Sequence, residues 1–161
     1  MMNVSHTMTG ARIAGQPDGG FGVVVTDRHT STLEYVHSPT GAAWSTADPV
    51  YGTGTGGWCP SLAYDPTDAL PAIAFYGCSP RSSVDEAQCL QSEDRLIVSR
   101  LFDELGPWRE TEITSEGGWA PVLMFFADGR SVVVYRVSAA RDSVGGVNPR
   151  AGELKIAIEN R

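Results

Sequence analysis

Residues 56–76 read GGWCPSLAYDPTDALPAIAFY, and residues 117–135 read GGWAPVLMFFADGRSVVVY. Each opens Gly-Gly-Trp-x-Pro, runs through an apolar stretch to an Asp-containing turn, and returns through a second apolar stretch that ends in Tyr. Aligned on that turn, Asp68-Ala69 and Asp128-Gly129 are matched by Asp18-Gly19, flanked by ARIAGQP and GFGVVVTD. A third copy therefore stands near the N-terminus. It is the most divergent, with Met8 or Thr9 where the others carry Trp58 and Trp119.

The match continues past each pair of runs. After a loop come STLEYVHS, DRLIVSRLFD and GELKIAIEN, in which Leu33-x-Tyr35, Leu96-x-Val98 and Leu154-x-Ile156 alternate with period two, as half-buried strands do. In two copies a fourth segment follows a tryptophan, AAWSTADPV around Trp44 and GPWRETEIT around Trp108. Each unit thus reads strand, tight turn, strand, loop, strand, turn, strand. Helical periodicity is nearly absent, confined to SVDEAQCLQ in one loop.

Four-stranded units repeated at roughly 50 to 60 residues are the sequence pattern of propeller blades. A β-sandwich, the competing all-β architecture, gives no reason for the lead-in and the turn to recur at matching offsets. The expected fold is an all-β β-propeller with three four-stranded blades, residues 1–161 forming one domain. Blade 1 covers 10–57, blade 2 covers 58–118, and blade 3 covers 119–161 without an outer strand of its own. Residues 1–9 align with the fourth strand of the second copy and are expected to close a blade from the front of the chain. Three blades are fewer than the four to eight of known rings. The expectation is therefore a homodimer that closes one six-bladed ring, each N-terminal strand completing the other copy's third blade. A ring closed by further copies, or by more of a longer chain, is the alternative.

The stretch PSLAYD…LPAIAFY…DRLIVSRLFD…GPWRETEI resembles the tandem repeats of bacterial secreted and surface propellers, loosely grouped with sialidase-like propellers. The likeness covers nearly the whole chain and is strongest in the second copy. It implies a fold and carries no activity with it, because propellers host unrelated functions.

Composition narrows the partners. The chain has 161 residues, a net charge of −7 and a single lysine, Lys155. With no basic cluster it is a poor binder of nucleic acid or anionic membrane, since phosphate contacts require concentrated Lys and Arg. No apolar run is long enough to span a bilayer as a helix. The first ten residues show no basic start and no apolar core, so no signal peptide is legible there. Cys78 and Cys89 bracket the polar loop CSPRSSVDEAQC and are expected to staple it. That bond would favour an extracytoplasmic or secreted location, with the cytoplasm as the alternative.

In a four-stranded meander the loops after the second strand and the lead-ins to the next unit share one rim. The segments TDRHTS, GCSPRSSVDEAQCLQSE and VSAARDSVGGVNPRA therefore gather with both Gly-Gly-Trp sequences, and varied loops on a rigid frame are where binding usually resides. Candidate ligand-binding residues on this rim are Trp58, Trp119, Asp27, Arg28, His29 and Arg136. Aromatic rings there would stack on a sugar or anchor a protein, or else wedge between blades as core. Arginines, with Arg81, Arg141 and Arg150 nearby, would grip a carboxylate. Trp44 and Trp108 read as packing between blades.

The first functional expectation is a non-enzymatic module that binds a carbohydrate or protein on the loop-rich face. A sialidase-like hydrolase or lyase and a structural subunit of a larger assembly are the alternatives. The sialidase chemistry would need a Tyr nucleophile assisted by a Glu, and an acid. Tyr76 and Tyr135 read as equivalents in the second and third copies, which makes them structural before catalytic, and the Ser-x-Asp-x-Gly-x-Thr-Trp turn of sialidases is missing. No catalytic residue, cofactor or metal site is assigned. Asp27, His29 and Asp85-Glu86 offer side chains that could ligate a metal or serve as acid and base, but His29 in its polar loop reads first as an ordinary solvated histidine. Asp18, Asp68 and Asp128 are explained by local hydrogen bonding in their turns.

Overall fold

The computed structural model describes residues 8–27, 32–51, 55–78, 93–138 and 152–160. They form eleven strands: β1 (Met8–Gly15), β2 (Phe21–Asp27), β3 (Thr32–Ser38), β4 (Asp48–Tyr51), β5 (Thr55–Tyr64), β6 (Pro71–Cys78), β7 (Asp94–Arg100), β8 (Arg109–Thr114), β9 (Trp119–Phe125), β10 (Ser131–Ser138) and β11 (Gly152–Ile158). These build three antiparallel meanders, β1-β2-β3-β4, β5-β6-β7-β8 and β9-β10-β11. Among the described residues no strand pairs with the outer edge of β11. The innermost strand of the first sheet begins at Met8, so Met8 and Thr9 belong to β1; the rest of the expected closing strand, residues 1–7, lies outside the described residues.

The repeat is visible in the backbone as well as in the sequence. At the three tight turns Gly19, Ala69 and Gly129 hold the same left-handed conformation, with φ of 98°, 60° and 80°. In each, the Asp just before accepts a hydrogen bond from the amide two residues on: Asp18 from Gly20, Asp68 from Leu70 and Asp128 from Arg130. This is the local role expected of Asp in such turns.

The lead-ins repeat too. Gly10, Cys59 and Ala120 share a positive φ, of 88°, 52° and 46°, just after Thr9, Trp58 and Trp119. Register breaks at the same place in all three sheets, which marks a β-bulge. The second glycine of each Gly-Gly-Trp packs on the preceding sheet. A Cβ at Gly57 would lie 2.7 Å from the Leu33 Cβ, and one at Gly118 would lie 2.9 Å from the Leu96 Cα. The recurring leucine and the recurring glycine are thus two halves of one contact between sheets.

Core lies between the sheets. Val24, Leu33, Tyr35, Val50 and Tyr51 of the first sheet meet Leu62, Ile73, Phe75 and Ile97 of the second. Ala72, Ala74, Leu96 and Val98 on the other face of the second sheet meet Leu123, Val133 and Tyr135 of the third. The inner strands of the second sheet alternate, sending successive side chains into the two seams, whereas the first and third sheets each give one face to a seam. Trp108 reaches back from the β7–β8 connection to the first sheet, edge-on to Tyr35, with its Nε1–H donated to Asp48 at 2.7 Å. Trp44, expected to pack between blades in the same way, is instead exposed, with no other sheet against it among the described residues.

Candidate functional site

One rim carries the ends of β2, β6 and β10 together with the lead-ins to β5 and β9. From it depart the connections to β3, β7 and β11, which are 4, 15 and 13 residues long by the strand boundaries. The opposite rim carries the tight turns and the connections over 39–47 and 101–108. Of the described residues, those on the first rim form the candidate site.

Its centre is an aromatic stack across the second seam. Tyr76 on β6 lies with its ring 5.6 Å from that of Trp58 in its own sheet and 4.2 Å from that of Trp119 in the next. The bulges turn both tryptophans into this seam. Trp58 and Tyr76 are buried, Cys78 packs with them, and Trp119 remains partly open to solvent. The Tyr76 hydroxyl donates to Asp94 Oδ1 at 2.6 Å, and Glu93 and Asp94 are both buried at the start of β7. The Trp119 indole nitrogen is buried and has no hydrogen-bond partner among the described residues. That is the costly state for a donor, and a reason to look for something that satisfies it.

The remaining candidates are dispersed. Asp27 ends β2, opposite Met8 in the first sheet. Arg136 is exposed on β10 as the cross-strand partner of Trp119. Arg28, His29 and Cys89, like Arg81, Arg141 and Arg150, fall outside the described residues. Cys78 is disulfide-bonded and Cys59 remains a thiol. The described residues hold no group of three His, Cys, Asp or Glu that suits a metal ion.

The strand register corrects one equivalence. Tyr76 faces Trp58 across β5 and β6, whereas Arg136, not Tyr135, faces Trp119 across β9 and β10. Counting from the turn, Tyr76 lies eight residues after Asp68 and Tyr135 only seven after Asp128, and in a strand one residue reverses the face. Tyr135 therefore packs in the seam with the second sheet, as Phe75 does in the first seam. The Tyr76–Asp94 pair was missed from sequence, although the adjacent acids of Glu93-Asp94 before an apolar strand were its visible trace.

Two other polar features lie toward the opposite rim. The Tyr35 and Tyr64 hydroxyls meet at 2.8 Å, and burial pushes both above the ordinary tyrosine value. Asp65 is fully buried and accepts hydrogen bonds from the Thr67 amide, the Thr67 hydroxyl and the Arg100 guanidinium. Burial alone would raise its carboxyl, but these donors hold it below its ordinary value. A cavity of about 180 Å³ opens between the second and third sheets beside β8 and β11, lined by residues that include Arg100, Phe102, Arg109, Phe125 and Ile158.

Comparison with solved structures places these sheets in a known architecture. Hadza microbial sialidase Hz136 superposes with a TM-score of 0.69 at 12% identity, covering 96% of this chain and 35% of the sialidase chain. The fold is a β-propeller. A xylan β-1,4-xylosidase from Bacillus halodurans C-125 also aligns, at a TM-score of 0.36 and 12% identity over 95% of this chain and 41% of the xylosidase. The propeller described here thus spans about a third of the sialidase's length. No family model matches the sequence, and no curated protein matches it.

Proposed function

We propose that this propeller is a non-enzymatic binding module whose ligand, a carbohydrate or a protein, docks on the rim that carries the long connections. The observation that supports the reading is Trp119. It is a partly open ring, stacked on Tyr76 and backed by Trp58, with a buried indole N–H that has no partner among the described residues. A ring face beside an unused donor suits a sugar ring with its hydroxyl, or a peptide carbonyl. In this reading Trp58 supports the platform from beneath, and Arg136, the cross-strand partner of Trp119, supplies a polar contact beside it. The disulfide at Cys78, with Cys89 as its expected partner, would brace the longest of these connections and fits an extracytoplasmic setting.

The test is a glycan array and a protein-interaction screen, run on the full chain and on Trp119→Ala. Binding by the wild type that disappears in a folded Trp119→Ala supports the reading. Binding that survives the substitution refutes the platform.

The second reading is a sialidase-like glycoside hydrolase or lyase. It is favoured by the fold shared with a sialidase and by the Tyr76 hydroxyl held on a carboxylate, the pairing that would activate a tyrosine nucleophile. Against it, Tyr76 is fully buried. Turnover of a chromogenic sialoside or glycoside, abolished by Tyr76→Phe, would reverse the order of the two readings. A purely structural subunit is the third reading and predicts neither binding nor turnover.

A further inference from the structure

The register makes three sets of positions equivalent, and each set is buried at both seams but exposed at a free end. Leu62 pairs with Ile73, Leu123 with Val133, and Ile13 with Val23. Leu62 and Leu123 face the preceding sheet and are 9% and 4% exposed, yet Ile13 is 66% exposed. On the opposite faces, Leu33 and Leu96 lie under the following lead-in and are both 0% exposed, whereas Leu154 is 69% exposed. Ile156, counterpart of the buried Tyr35 and Val98, is 63% exposed, and Val122, Met124 and Ile158 extend the same open face of the third blade. Positions that serve only as seams elsewhere have kept their apolar side chains where no blade covers them. The face of blade 3 is apolar across all three strands, while that of blade 1 exposes Ile13 and Phe21 beside Val25 and Val36, which are already buried. Exposed apolar patches of this kind mark association sites.

We infer that the open face of blade 3 docks on the open face of blade 1 of a second copy, and reciprocally, so that two chains close one six-bladed ring. The two free ends match as the internal seams do. Blade 3 offers Leu154, Ile156 and Val134 where blades 1 and 2 offer Leu33, Tyr35 and Val24, and Leu96, Val98 and Ala74. Blade 1 offers Ile13 and Val23 where the later blades offer Leu62 with Ile73 and Leu123 with Val133. Trp44 has the place in its blade from which Trp108 reaches back to the preceding one, and the docked blade 3 gives it a surface to cover. Two copies make six blades, within the four to eight that close; three would make nine. Within the chain, β4 leads into β5 and β8 into β9, from the outer strand of one blade to the inner strand of the next.

Sedimentation of the full chain at micromolar concentration tests this, with the chain mass of 17.2 kDa as reference. The wild type should sediment at twice that mass. Ile156→Glu and Ile13→Glu, both at exposed positions of the single chain, should each leave circular dichroism unchanged and weaken association by about thirtyfold per substituted seam. Both variants should run as monomers. Mixed together they should recover dimer, because one of the two seams then joins two unsubstituted faces. Val122→Lys, on the same face as Ile156, repeats the test should Ile156→Glu fail to fold. A monomeric wild type overturns the inference. So does loss of the dimer in Ile156→Glu but not in Ile13→Glu, which would signal blade 3 packed on blade 3, and so does a mixture that stays monomeric.

Discussion

Ala69→Gly should stabilise this protein. Ala69 sits at φ 60°, in the position held by Gly19 and Gly129 in the other two turns. An L-residue in the left-handed region carries a penalty of about 1–2 kcal/mol. Glycine removes that penalty but adds about 0.4–1 kcal/mol of unfolded-chain entropy. The side chain of Ala69 is exposed, so its deletion leaves no cavity. The turn's other restraints, the Ala69 amide on the Asp65 carbonyl at 2.8 Å and the Leu70 amide on Asp68, are backbone donors that glycine keeps. The net gain is about 0.5–1 kcal/mol, read as a rise in Tm of about 1–4 °C at this size. The reciprocal Gly129→Ala should lose a similar amount. Differential scanning calorimetry with chemical denaturation as a second measure settles both. An unchanged or lower stability for Ala69→Gly would refute the argument that the three turns share one backbone requirement.

Three further outcomes follow from the packing and the buried charges. Leu96→Ala removes a fully buried side chain that Gly118 packs against and should cost about 2–5 kcal/mol in urea unfolding. Asp65 is held below its ordinary 3.8, so its stabilisation is complete above that pH and is lost as pH falls through the lower folded value. Asp65→Asn should abolish that acid-limb loss and cost about 3 kcal/mol near neutrality, since the largely buried Arg100 then keeps only the more exposed Asp68, at 3.3 Å, as a carboxylate partner. Tyr76→Phe leaves the buried Asp94 without this donor and should cost about 1–3 kcal/mol in the same assay, whether or not the protein proves to be an enzyme.

The likeness to a sialidase at 12% identity concerns the frame alone. What differs from blade to blade at the loop-rich rim is local: Trp119 with its unused donor, the buried Glu93-Asp94 pair, and the exposed Arg136 in the place where blade 2 has Tyr76. Any ligand specificity of this propeller is expected to arise from those differences.

Much of the frame was legible in the residues themselves. Strand positions follow from period-two alternation in LKIAI or RLIVS, and the tight turns from Asp beside Gly or Ala. Both are properties of a few neighbouring residues, so a linear string carries them. The candidate site was legible only in part. Which face Tyr76 and Tyr135 occupy depends on a one-residue difference after a turn, and the register had to be built before it could be seen. That Trp58 is buried and Trp119 partly open depends on how each bulge aims its ring into the seam, which involves a neighbouring blade. Three units of one repeating design can be read from the residues, because each unit's strands and turns are specified locally. Which apolar positions become seam and which stay open follows from the packing of one blade on another, a contact between residues far apart in the chain that no single unit encodes.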